Sequence, residues 1–168
     1  MIELNNFTYK TNRILFEGAN FIAPSIGIIG IAGESGCGKT TLLKIISKQI
    51  PVNSLINDSS SIFYGNQDAL LKKDLTIAQQ FELIESIYNR KHDQNTIDEL
   101  FNSLNIKASL SQKYDSCSLG EKKRIMIALS VYSNSPCIIL DEPLSSVDYE
   151  DKHSIMKLLK EHSHDRVI

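Results

Sequence analysis

The sequence has no strong charge of either sign: 18 lysines and arginines against 20 aspartates and glutamates leave a net charge of −2. A domain that grips nucleic acid normally carries a basic stripe or a strongly basic balance. Lys72–Lys73 and Lys122–Arg124 are short basic runs. Runs that short are ordinarily solvated faces, so no nucleic-acid partner is expected. Cysteine is scarce as well. Cys37, Cys117 and Cys137 are odd in number and form no CxxC pair, which suggests neither a disulfide framework nor a zinc site and suits a reducing compartment. No apolar run approaches the roughly 20 residues of a membrane span. The opening MIELNNFTYK lacks the basic start and apolar block of a signal peptide. Any membrane role therefore goes through a partner. Internal repeats and low-complexity tracts are missing too.

What is present is an ordinary globular composition, 42% apolar and 23% charged over 168 residues, enough for one domain with a real core. IELNNFTY and ILFEGANFIA read as two strands joined by KTNR. The run from Ile26 onward reads as apolar strand, glycine-rich loop and amphipathic helix, with Leu42, Leu43, Ile45, Ile46 and Ile50 on the apolar side and Pro51 as the stop. VNSLINDSSS reads as loop and SIFYG as a short strand. Helices follow over 76–90, capped by Thr76 and Gln79, and over 96–104, capped by Thr96 and Glu99. A helix over about 119–134, the strand CIILD and a helix over about 148–162 complete the pattern, and RVI resembles the start of another strand. Helices between apolar strand-like runs predict an α/β fold with a largely parallel sheet. The antiparallel β-region comes first, and residues 67–117 form an inserted helical lobe between core segments 1–66 and 118–168.

GESGCGKT, Gly33 to Thr40, matches G-x-x-x-x-G-K-[ST] in full and stands between an apolar strand and a helix, the context that gives this motif its meaning. Backbone N–H groups of Gly33, Glu34, Ser35, Gly36, Cys37, Gly38, Lys39, Thr40 and Thr41 can then turn toward phosphate oxygens at a helix N-terminus. Lys39 reaches the β- and γ-phosphates, and the Thr40 hydroxyl is a candidate Mg²⁺ ligand. In CIILDEP, an apolar strand ends in Asp141–Glu142. A carboxylate so placed beside a phosphate loop holds Mg²⁺ in P-loop NTPases, which makes Asp141 the metal ligand. Glu142 becomes the base that takes a proton from the attacking water. Taken alone, a strand end with two acids before a proline turn carries no such meaning; the phosphate loop supplies it.

DSCSLGEKKR leads into the apolar stretch IMIALSVY. By local physics Ser118 and Glu121 form a capping box, which explains both residues without a ligand. Gly120 is left unexplained, since glycine in a first turn is destabilising by about 1 kcal/mol relative to alanine. A close backbone approach by another group would account for it.

Phosphate loop, glutamine, this turn, ILDEP and SSVD, in that order, resemble the nucleotide-binding domain of the ABC ATPases along the whole chain. The resemblance implies a RecA-like P-loop core and a MgATP site. In that family the signature is Leu-Ser-Gly-Gly-Gln, with an arginine soon after. Anchored on Arg124, it falls on Cys117, Ser118, Leu119, Gly120 and Glu121, where Ser118 and Gly120 match and the others depart. Tyr9 sits where the family stacks an aromatic on adenine. Gln67 sits at the glutamine that contacts Mg²⁺, the water and the transporter's membrane domain. Ser145 to Asp148 looks like the loop that bridges two protomers. Two such domains meet head to tail in the family, each ATP lying between one phosphate loop and the other's signature.

The family's next strand ends in a histidine that contacts the γ-phosphate. Here RVI is the last of the sequence, and His162 and His164 precede it, so neither takes that role. We therefore expect a truncated C-terminus and weak or absent hydrolysis by this chain alone. The expected function is the ATP-binding, ATP-hydrolysing subunit of an ABC transporter. It would sit at the cytoplasmic face of the membrane with a transmembrane permease and pair as a homodimer or with another ATPase subunit. A soluble ABC-type ATPase of DNA repair or translation and a P-loop small-molecule kinase remain as alternatives.

Overall fold

The computed structural model describes residues 2–53, 55–57, 61–66, 72–145 and 147–168. Strands β1 (Ile2–Lys10) and β2 (Ile14–Ala23) form the expected antiparallel hairpin. A third strand, β3 (Leu55–Asn57), pairs antiparallel with the free edge of β1, Leu4 opposite Leu55. This corrects the loop expected for VNSLINDSSS. Composition there favours turns, but an unpaired edge of backbone donors and acceptors recruits three residues of it.

Helix α1 (Lys39–Ile46) follows the phosphate loop and ends sooner than Pro51 predicts. Lys48 takes a left-handed φ of 63°, and the amides of Gln49 and Ile50 both donate to the Lys44 carbonyl. Ile50 still packs on the apolar cluster beneath the hairpin. Strands β4 (Ile62–Gly65) and β5 (Cys137–Leu140) run parallel, Phe63 opposite Ile138. Their side chains alternate between two buried faces. Phe63 and Ile138 meet a helical cluster, whereas Tyr64, Cys137 and Ile139 meet the hairpin and α1. Burial on both faces is what a parallel sheet requires.

The helical side is built from α2 (Ile77–Tyr88), α3 (Gln94–Ser103), α4 (Leu119–Tyr132) and α5 (Tyr149–Glu161). Helix α4 is apolar around most of its circumference, with Ile125 to Leu129, Val131 and Tyr132 all buried. Such a helix belongs inside, and it packs against α2, α3, α5 and β4. The α2 cap is as expected: the Thr76 amide donates to Gln79 Oε1 at 2.9 Å, and the Gln79 amide donates to Thr76 Oγ1 at 3.2 Å. The α3 cap is not. The helix starts at Gln94, and Asp93 accepts from the Thr96 amide at 3.1 Å and from its hydroxyl at 2.6 Å. A carboxylate that takes both Thr96 donors displaces the expected Thr96–Glu99 box, and the same bonds hold the Asp93 carboxyl below its ordinary range.

In the apolar run at 26–31 only Gly27, with φ 106°, bridges a neighbour, and that neighbour is Val167. Val167 also bridges Cys137, in parallel. Thus Arg166–Ile168 lies between the 26–29 segment and β5. The Gly27 amide donates to the Arg166 carbonyl, the Ile29 amide to the Ile168 carbonyl, and the Ile138 amide to the Val167 carbonyl. Among the described residues no helix is long and apolar enough to cross a membrane.

His162 closes α5 just before this three-residue segment. Burial, then the Arg166 charge, pushes its imidazole below the ordinary 6.5, against opposing pulls from Asp165 and Glu161. The unfolded chain therefore takes this proton first, so the contribution to stability is full above pH 6.5 and is lost as pH falls through the folded value. The urea midpoint is expected to drop as the pH falls below 6.5. His162→Gln should flatten that slope, and an unchanged slope would remove His162 as its cause.

Candidate functional site

The phosphate loop holds its shape through left-handed glycines. Gly38, at the N-cap of α1, has φ 105°, and a methyl group there would come within 2.9 Å of Phe16 Cζ. Gly36 has φ 76°, and its carbonyl accepts from the Arg13 guanidinium. Lys39 Nζ donates to the Gly33 and Glu34 carbonyls, at 2.8 Å each. Arg13 and Phe16 are site residues that the motif does not contain. Both come from the hairpin, and only its folding against the loop reveals them. Phe16 also leads back to Tyr9, which is half-buried in β1: Phe7 lies 5.6 Å from Phe16 and 6.2 Å from Tyr9, centroid to centroid.

The acid pair lies across from the loop. The Asp141 amide donates to the Gly65 carbonyl at 3.0 Å, continuing the β4–β5 ladder by one step. Glu142 leaves the strand with φ 50°, a left-handed turn on a non-glycine residue. Such strain is held only when surrounding contacts over-determine it. Gly30, Ile31 and Lys39 on one side and Ile139, Asp141 and Glu142 on the other line a single cavity of about 340 Å³. Leu43 and Ile46 of α1 and Met156 and Leu159 of α5 complete its apolar walls. The sheet thus brings together Lys39 and the two acids, which the sequence holds far apart. Asp141 and the Thr40 hydroxyl offer hard oxygen donors. Among the described residues no group of three or more His, Cys, Asp or Glu side chains gathers at one point. Asp141 and Thr40 thus offer oxygen donors of the kind Mg²⁺ takes.

Helix α4 opens with the predicted capping box. The Ser118 amide donates to Glu121 Oε2 at 3.0 Å, and the Glu121 amide donates to Ser118 Oγ at 3.3 Å. The backbone and hydroxyl of Ser118 hold the Glu121 carboxyl below its usual range. Ser118 is exposed, Gly120 half-buried and Leu119 50% exposed. Gln67 and Ser146 lie outside the described residues.

The basic run that follows is no solvated face. Lys122 donates to the Asp115 carbonyl at 2.8 Å, and Arg124 pairs with Asp151 of α5. Lys123 is 2% exposed and donates to the Glu142 carbonyl at 2.9 Å. Burial pushes its ammonium down, and the Glu142 and Asp141 charges pull it back up. Reading Lys122–Arg124 as three like charges overlooked their positions on a helix apolar nearly all round, where no face is left to solvate them.

The protein-family model described as ABC transporter matches residues 16–145. The chain belongs to the ABC transporter family. Within that family it is an ATP-binding component. The cytochrome c biogenesis ATP-binding export protein CcmA of Reclinomonas americana is 32% identical over 88% of this chain and 72% of its own length. The molybdate import ATP-binding protein MolC of Haemophilus influenzae is 27% identical over 94% of this chain. The chain spans 65% of that relative's length. A solved dimeric bacterial ABC transporter cassette superposes with a TM-score of 0.77 at 23% identity, covering 99% of this chain and 86% of its own. At that identity the likeness is one of fold.

The capping box yields a direct test. Ser118→Ala is expected to lower unfolding stability by about 1 kcal/mol, with Ser118→Asp keeping most of it. Urea titration of both variants checks this; equal losses would mean that the hydroxyl is not acting as a cap.

Proposed function

We propose that this chain binds and hydrolyses MgATP to drive transport through a separate transmembrane permease subunit, at the cytoplasmic face of the membrane. The observation that carries the reading is the cavity shared by Lys39, Asp141 and Glu142. A cation from a phosphate loop facing two carboxylates at a strand end is the arrangement that phosphoryl transfer to water needs. The family match and relatives named for import and export favour transport over repair, translation or a small-molecule kinase.

Lys39 and the amides from Gly33 to Thr41 would hold the triphosphate. Thr40 and Asp141, with Gln67, would hold Mg²⁺, which neutralises charge on the β- and γ-phosphates when bound. Glu142 would accept the proton of the attacking water. Tyr9 would stack on adenine from the hairpin. Ser118 and Gly120 would face the nucleotide of a second protomer, in a homodimer or with a paired ATPase subunit, and residues 67–117 would form the helical subdomain that meets the permease.

Glu142→Gln should keep ATP affinity within about twofold and lose at least 100-fold in turnover, the usual scale for a general base. Lys39→Ala should abolish binding. Turnover surviving in Glu142→Gln would reject the base, and retained affinity in Lys39→Ala would reject the site. Light scattering of the Glu142→Gln variant with ATP and Mg²⁺ should report a dimer that Ser118→Arg abolishes. A monomer that binds ATP would count against the shared site.

A further inference from the structure

The turn that carries Glu142 hangs from one atom. The Glu142 carbonyl oxygen accepts from Lys123 Nζ at 2.9 Å, from Ser145 Oγ at 3.0 Å and from the Ser145 amide at 3.2 Å. Lys123 also donates to the Ser145 hydroxyl, so ammonium, hydroxyl and carbonyl close a ring. The turn needs such a clasp, because Glu142 occupies a left-handed conformation that non-glycine residues rarely adopt. Lys123 comes from α4, whose N-terminus presents Ser118, Leu119 and Gly120. One helix therefore carries both an exposed cap and the buried cation behind the acid turn.

We propose that Lys123 is a positioning residue for Glu142, gripping its carbonyl and the Ser145 hydroxyl so that the carboxylate is held toward the cavity and moves only with α4. It rests on the reading of Glu142 as the base, but the clasp itself is independent of that reading. Lys123 acts through the backbone and never meets the substrate. A bond from an ammonium to a carbonyl is stronger than one between neutral groups, and its loss would leave the strained turn with Ser145 alone.

The test compares amide hydrogen exchange in Lys123→Met, Lys123→Arg and Ser145→Ala with the wild-type chain. Met keeps the length and apolar stem and removes the donors. The Ser145 amide is expected to exchange about tenfold faster or more in Lys123→Met, the loss of one charged hydrogen bond. Amides of Ile125–Leu129 should stay unchanged, and Lys123→Arg should restore part of the protection. If Lys123→Met does not fold, Ser145→Ala removes the other half of the ring and should speed the same amide. In the ATPase assay, kcat should fall about tenfold in Lys123→Met while the Kd for ATP stays put. Unchanged exchange at Ser145, or equal acceleration along α4, would overturn the proposal. A wild-type chain that neither binds nor hydrolyses ATP would instead refute the Glu142 reading, with the exchange result still deciding whether Lys123 holds the turn.

Discussion

Both halves of the site are held in place by Arg166–Ile168, a three-residue segment that pairs with 26–29 on one side and with β5 on the other. The phosphate loop leaves the first neighbour and the acid turn leaves the second, so this parallel pairing sets the direction in which both leave the sheet. The cavity lies between the 26–31 segment and β5, with the apolar sides of α1 and α5 on its walls. Lys39, Asp141 and Glu142 stand toward the carboxyl ends of the 26–31 segment and β5. Ligands in open α/β sheets bind there because backbone groups and loop residues converge without a strand to absorb them.

That arrangement needs a rigid back, which α4 supplies. Buried nearly all round, it touches α2, α3, α5 and β4, so little of it can shift without opening apolar contacts throughout the helical cluster. Its charged groups lie in its first two turns, and near its other end the Ser130 and Tyr132 hydroxyls donate to Ile127 and Glu85. Ser118 is answered by Glu121, Lys123 by Glu142 and Ser145, and Arg124 by Asp151 through one guanidinium nitrogen, its buried Nε having no partner. A buried cation without such partners would be strongly destabilising, whereas a paired one contributes little net stability and much definition. The polar positions of α4 therefore specify how the acid turn sits, and the apolar ones supply the stability that holds α4 there.

How much of this was legible from the chain follows from the range of the forces involved. The phosphate loop and the boxes at Thr76–Gln79 and Ser118–Glu121 are short-range devices, each complete within a few residues, and their patterns are in the sequence as they are in space. The α3 cap was misassigned because Asp93 and Thr96 both satisfy local rules, and only the final geometry chooses between them. Strand β3 depends on the open edge of β1, over fifty residues away in sequence. Arg13 and Phe16 join the site because a hairpin folds over a loop, an event with no periodic signal. Lys123 was hidden by its neighbours, since a run of three cations reads as surface until the helix carrying them is seen to be enclosed.

The charges around the cavity form an ordered dipole. The phosphate loop offers Lys39 and the amide end of α1, with Arg13 behind Gly36. Opposite stand Asp141 and Glu142, with Lys123 buried behind their turn. Between them the walls are aliphatic, from Ile31, Leu43, Ile139 and Leu159. Apolar walls lower the local dielectric and sharpen every interaction across the gap. An anion is drawn to the loop side and repelled from the acids, a repulsion that a divalent cation held there would offset. Lys123 hydrogen-bonds a carbonyl and a hydroxyl rather than either carboxylate, so its charge acts on Asp141 and Glu142 only through space. Clasping the backbone leaves the Glu142 carboxylate without a direct ion pair to this lysine, as the role of base proposed for it requires.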